Sequence, residues 1–161
     1  MQPRLSAEKA SPPAMQAMLA FETHAGRVVR LEPSLLDLVR MRASQINGCA
    51  YCIDMHSKDA RANGETEQRL YALNAWRETP FFTDRERAAL EWTEAVTLIS
   101  KDHVPDAIYE EVRKRFTEEE LVNLTLAVIT INGWNRLAIS FRAVPGDYRP
   151  PSRKAHEAAR Q

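Results

Sequence analysis

Cysteine is almost absent from this 161-residue sequence, which holds two, Cys49 and Cys52. So few exclude a disulfide-stapled scaffold, and a bridge across so short a loop would restrict the unfolded chain very little. Net charge is missing too. Lysine plus arginine number 22 and aspartate plus glutamate 22, which removes the electrostatic case for nucleic acid or an anionic membrane as the main partner. The first 12 residues carry Arg4, Glu8 and Lys9 and no apolar leader segment. The most apolar stretch, Leu121 to Ile131, is broken by Asn123, Thr125 and Thr130 and falls well short of a membrane span. These absences predict a cytoplasmic protein, in a compartment where a disulfide is more often catalytic than structural. Repeats, low-complexity tracts and convincing strand patterns are lacking as well.

What is present suits a compact all-α bundle. Hydrophobic residues make up 44% of the chain, and a single domain of this length can bury roughly 70% of the surface its unfolded form exposes. Ser11-Pro12 predicts a helix start with a first-turn proline, running to about His24. Pro33-Ser34 opens a second helix that stops at Asn47-Gly48, a C-cap pair. A third begins around the cysteines and ends at Asn63-Gly64. A fourth covers Glu67 to Trp76 before Thr79-Pro80. Thr83-Asp84-Arg85-Glu86 reads as a capping box, preceding a helix to about Ser100. Pro105 restarts the chain, and Thr117 to Glu120 forms a second capping box before the longest helix, Leu121 to Phe141. That helix is apolar nearly all round, which predicts a central place in the bundle or in a subunit interface. The proline-rich, charged tail from Val144 reads as loosely held.

The chemistry gathers in Cys49-Ala50-Tyr51-Cys52-Ile53-Asp54-Met55-His56. A C-x-x-C pair can close a disulfide or share a metal. With Gly48 ending one helix, both cysteines fall at the next helix start, where the dipole favours a thiolate by about 0.3–1 kcal/mol. One pKa unit corresponds to about 1.4 kcal/mol, so the dipole alone does not activate a thiol of free pKa near 8.5. His56 lies one turn beyond Cys52 and two beyond Cys49. Spacing therefore favours Cys52 as nucleophile and Cys49 as the partner that closes the disulfide. Two other readings stay open at this point: a pair of inert buried cysteines, and a zinc site of Cys49, Cys52 and His56 with a fourth ligand from His24, His103 or His156.

The run Leu35 to His56, continued through Ser57-Lys58-Asp59-Ala60-Arg61 and more loosely by Asn132-Gly133-Trp134-Asn135-Arg136, resembles the alkylhydroperoxidase D family of the carboxymuconolactone decarboxylase superfamily. The resemblance spans about residues 33–142. It implies an oligomeric helical fold (dimer, trimer or hexamer) and a thiol peroxidase or disulfide reductase cycle without metal, haem or flavin. It further implies that Cys52 attacks a hydroperoxide, that Cys49 resolves the resulting sulfenic acid, and that His56 belongs to the proton relay. An external dithiol would supply electrons. Two departures stand out. Asp37 occupies the place of the family's relay glutamate, one methylene shorter. Tyr51 lies between the cysteines where histidine is usual; as a phenol of free pKa about 10 it is a hydrogen-bond donor or pocket wall rather than a base. Trp134, Asn135 and Arg136 are candidate pocket residues or, alternatively, core and interface residues. Trp76 and Trp92 read as core or interface aromatics. A lactone decarboxylase, which does not require the cysteine pair, and a non-enzymatic redox-sensing module are the alternative functions.

Overall fold

The computed structural model describes residues 2–28 and 31–151, and among them every regular element is helical. In chain order these are α1 (Ala7–Ala10), α2 (Pro12–Val28), α3 (Pro33–Asn47), α4 (Ala50–Ala62), α5 (Glu67–Ala72), a 3-10 segment (Leu73–Glu78), α6 (Asp84–Thr97), α7 (Ile99–Asp102), α8 (Asp106–Arg113) and α9 (Glu118–Phe141). The starts follow local chemistry. Thr83 and Thr117 each accept a bond from the backbone N–H three residues on, while Glu86 and Glu120 accept one from the backbone N–H of the cap. Pro33 sits in the first turn of α3 and Pro105 caps α8.

Several boundaries differ from the sequence expectation, among them α2, which runs to Val28 rather than about His24. The helix expected over Glu67 to Trp76 tightens into the 3-10 segment, with Ala75 off helical geometry at φ −116, ψ 31. There Trp76 turns inward, and its Nε1–H donates to Glu94 Oε1 at 2.7 Å. Glu94 also accepts from Arg42 at 2.8 Å and Arg77 at 2.6 Å, locking α3, α6 and the 3-10 segment together. Burial alone would raise this carboxyl's pKa, but the bonds from Trp76, Arg77 and Arg42 hold it below the usual value. The helix expected to reach Ser100 ends at Thr97, whose hydroxyl accepts from Asn132 across the core, and Leu98 leaves helical geometry. The tail is docked rather than loose as far as it is described. Gly146 N–H donates to Asp54, and Lys58 donates to the carbonyls of Gly146 and Tyr148.

Helix α3 is the hub, packed on α4, α6 and α9. Its Leu35, Leu36 and Val39 join Ala89, Trp92, Leu124 and Val128 in one apolar cluster. Its Leu38 and Met41 join Leu70, Leu73, Trp76 and Leu90 in another. Each fully buried leucine contributes about 1.5–3 kcal/mol of apolar transfer. Helix α9 buries one side, including Leu121, Leu124, Val128 and Ile131, and leaves Val122, Ile129 and Ile139 exposed. Asn135, fully buried, donates to Ser44 and accepts from Asn47, tying α9 to the end of α3. Trp76 and Trp92 are buried, as expected of core aromatics.

The α3–α4 corner carries the site. Gly48 takes φ +67, ψ 32, and its N–H and that of Cys49 return to carbonyls at the end of α3. A Cβ there would meet nothing within 4 Å, so glycine is required by backbone conformation and not by space. Gly48→Ala is expected to cost about 1–2 kcal/mol, the left-handed penalty for a residue with a Cβ, measured by urea unfolding of the oxidised protein.

Candidate active site

Cys49 is the N-cap of α4, and its Sγ accepts the Cys52 N–H at 3.3 Å. The corner brings the two Cα atoms to 5.3 Å, and the sulfurs are joined in a disulfide. Both residues are nearly sealed, at 1% and 2% exposure. They are not equivalent. Cys52 lines a cavity of about 810 Å³, whereas Cys49 does not. Any molecule reaching the sulfurs by this route meets Cys52 first.

The same cavity is walled by Asp37 and Arg40 of α3, Tyr51, Met55, His56, Asp59 and Asn63 at or beyond α4, and Trp134, Leu137 and Phe141 of α9. Met15 and Leu19 of α2 close another side. Helical periodicity explains the α4 set: positions 52, 56 and 59 fall on one face. Asp37 is 4% exposed; its Oδ2 accepts from Asn63 Nδ2 at 2.8 Å, and Arg40 lies 3.7 Å from its Oδ1.

His56 is buried, and its Nε2 has no hydrogen-bond partner. Desolvation, reinforced by the Arg40 charge, lowers its pKa from 6.5 to about 3. Its Nδ1 lies 3.9 Å from Asp59 Oδ2. With the ring neutral at ordinary pH, that approach is a dipolar contact and not an ion pair. The ring is therefore no standing cation for a Cys52 thiolate; it is a neutral imidazole with one nitrogen unpartnered.

The five residues singled out from sequence, Cys49, Cys52, His56, Asp37 and Tyr51, converge on this corner, all but Cys49 on the cavity wall. Trp134 is half-buried on the cavity wall with its Nε1–H unpartnered, so the core assignment does not describe it. Asn135 serves the interior instead, while exposed Arg136 donates to the carbonyl and side chain of Asn132. Sequence reasoning passed over Arg40, Asp59, Asn63 and Tyr148. Asp59, three residues after His56, had a helical-spacing signal; Tyr148, 89 positions from its partner Asp59, had none. Among the described residues no group of three or more His, Cys, Asp or Glu converges as a metal site. The side chain of His24 and the whole of His156 lie outside the described residues.

Fold and site define an all-helical protein with a C-x-x-C disulfide at a helix start beside a buried histidine. The carboxymuconolactone decarboxylase family model matches residues 12–95, and the chain belongs to that family. It is 44% identical over 140 residues to the uncharacterized protein YdfG of Bacillus subtilis, covering 87% of this chain and 95% of YdfG. Its structure resembles that of ATU0492 from Agrobacterium tumefaciens, a protein of unknown function provisionally described as the antioxidant defence protein AhpD. The TM-score is 0.88 at 41% identity, over 91% of this chain and all of that one. The debrominase Bmp8 shares the fold, with TM-score 0.76 and 19% identity over 84% of this chain and 73% of its own. Among the described residues no helix is long and apolar enough to cross a membrane.

Burial of neutral His56 couples stability to pH. Its folded pKa lies below the unfolded value, so the unfolded state binds the extra proton and stability falls as pH drops from 6.5 toward about 3. In urea unfolding over this window, the wild type should lose up to about 1.4 kcal/mol per pH unit more than His56→Gln. Parallel pH profiles for the two proteins would contradict the buried neutral ring.

Proposed function

We propose that this protein is a thiol-dependent peroxidase that reduces hydroperoxides through a Cys49–Cys52 dithiol–disulfide cycle. The observation that carries this reading is the asymmetry of the pair: Cys52, not Cys49, lines a large cavity that His56 also lines, and the buried Nε2 of that ring makes no hydrogen bond. The antioxidant description of ATU0492 supports the same direction.

In the cycle, His56 Nε2 accepts the Cys52 thiol proton as the sulfur attacks the outer oxygen of the hydroperoxide. The O–O bond breaks, the proton passes to the leaving alkoxide to give an alcohol, and Cys52 becomes a sulfenic acid. The Cys49 sulfur then attacks Cys52, releasing water and forming the disulfide. An external dithiol restores both thiols by two exchange steps and leaves as its own disulfide. A ring so weakly basic transfers the proton transiently rather than storing it. The helix start supplies the standing stabilisation of the thiolate. Asp37, held by Asn63, takes the place of the family's relay glutamate on the cavity wall. Tyr51 forms wall and donor beside Cys52.

The whole chain acts as one unit in this reading, with its core at about 33–142, and it self-associates through the exposed apolar side of α9, where Val122, Ile129 and Ile139 are uncovered. Light scattering at micromolar concentration should find a species larger than one chain of 18.3 kDa; a strict monomer contradicts this part.

The central test is consumption of cumene hydroperoxide by the reduced protein with dithiothreitol as donor. With the donor, wild type should turn over; without it, one equivalent of peroxide should remove two thiols and two hydrogens of mass. Cys52→Ser should be inactive. Without the donor, Cys49→Ser should stop after one equivalent, as a sulfenic acid trapped by dimedone. Undiminished turnover in Cys52→Ser would remove the mechanism.

A further inference from the structure

The segment that follows α9 lies outside the residues matched by the family model, yet it reaches the site. Two side chains of α4 hold it. Asp54 accepts the Gly146 N–H at 3.0 Å, and Lys58 donates to the carbonyls of Gly146 at 3.0 Å and Tyr148 at 3.2 Å. Lys58 and Asp54 are themselves paired at 2.8 Å, so the strap rests on a fixed ion pair. Tyr148 is thereby brought to the cavity wall, where its hydroxyl donates to Asp59 Oδ1 at 2.7 Å. The other oxygen of Asp59 faces His56 Nδ1 at 3.9 Å.

A carboxylate can only accept hydrogen bonds. One beside Nδ1 favours the tautomer that carries its proton there, and Nε2 is then the nitrogen with the free lone pair. That nitrogen is buried and makes no hydrogen bond, and Asp59 at 3.9 Å biases the ring by its charge rather than by a hydrogen bond. The titratable groups that share the cavity wall with the ring are Glu8 of α1, Glu22 of α2, Asp37 and Arg40 of α3, Tyr51 and Asp59 of α4 and Tyr148 on the strap. Arg40 opposes protonation of the ring, and Asp59 is the carboxylate recorded beside Nδ1.

We propose that Tyr148 and Asp59 are positioning residues for His56: the strap tyrosine fixes the Asp59 carboxylate, which holds the imidazole in the tautomer that leaves Nε2 free to take the Cys52 proton. The inference deepens the thiol reading above and rests on it. Tyr148 keeps its proton for this role, since burial, then the bond to Asp59, raise its pKa well above the ordinary phenol value. The strap also makes the site depend on a part of the chain remote in sequence from the cysteines.

The test uses the reduced full-length chain and iodoacetamide, with alkylation followed separately at Cys52 and Cys49 by mass spectrometry from pH 5 to pH 9. Tyr148→Phe, which keeps the ring and loses the hydroxyl, and Asp59→Asn should each speed Cys52 by up to about tenfold at pH 7, the equivalent of one pKa unit, because the released ring can turn an N–H toward the sulfur and favour its thiolate. Both should move its pH midpoint downward and leave the Cys49 profile in place. An unchanged Cys52 profile in both variants overturns the proposal. So does a shift in Asp59→Asn alone, because the strap then contributes nothing. Equal acceleration of both cysteines also overturns it, by showing that the strap merely seals the corner. Peroxide consumption is read independently: a wild type inert to hydroperoxide, with the Cys52 shifts intact, removes the peroxidase reading and leaves the positioning role standing.

Discussion

A left-handed glycine between two helices is the constraint on which the site depends. Gly48 ends α3 and turns the chain so that α4 starts on the next residue, with Cys49 at its cap and Cys52 one turn in. Had α3 run on, both cysteines would lie inside a continuous helix, with the Cys52 N–H bonded to a backbone carbonyl and no helix start beneath the sulfurs. The corner instead brings the sulfurs together and directs the dipole of α4 at them. Asn135 fixes the approach from the other side, gripping Ser44 and Asn47 just before the turn. The disulfide is thus built on buried helical elements and not on a loop.

Burial sets the chemistry that this geometry permits. A histidine one turn from a cysteine invites the picture of a stable imidazolium–thiolate pair. The structure gives a ring desolvated by its surroundings, kept neutral, and opposed by the Arg40 charge. In the proposed cycle such a ring moves a proton without keeping it. The cavity then distinguishes two chemically identical sulfurs, since Cys52 lines it and Cys49 does not. Burial that looks at first like sealing becomes selectivity, because the remaining route leads to Cys52.

Much of the fold was legible in the sequence because helix boundaries are written in short-range chemistry. The two capping boxes, Pro33, Pro105, Gly48 and the Asn63-Gly64 stop each act within a turn of where they stand, and each marks a boundary in the structure. The misread boundaries were those decided at a distance. The 3-10 segment forms where Trp76 meets Glu94, 18 positions away, and α6 ends where Thr97 meets Asn132, 35 positions away. Neither pairing has a local signature. The tail misled for the same reason: its composition suggests looseness, while Asp54 and Lys58 of α4 supply the partners that hold it.

By itself the sequence determined that the chain is helical, that its two cysteines stand at a helix start with a histidine a turn away, and where the stops between helices fall. Those properties follow from spacing and from residues acting on their near neighbours. Only the tertiary structure decided which sulfur meets the cavity, that His56 is uncharged, and that Asp59 and Tyr148 stand behind it. Exposure and pKa are set by atoms that arrive from α2, α3, α9 and the strap, and the low-dielectric enclosure they form exists only once the chain has folded around the corner.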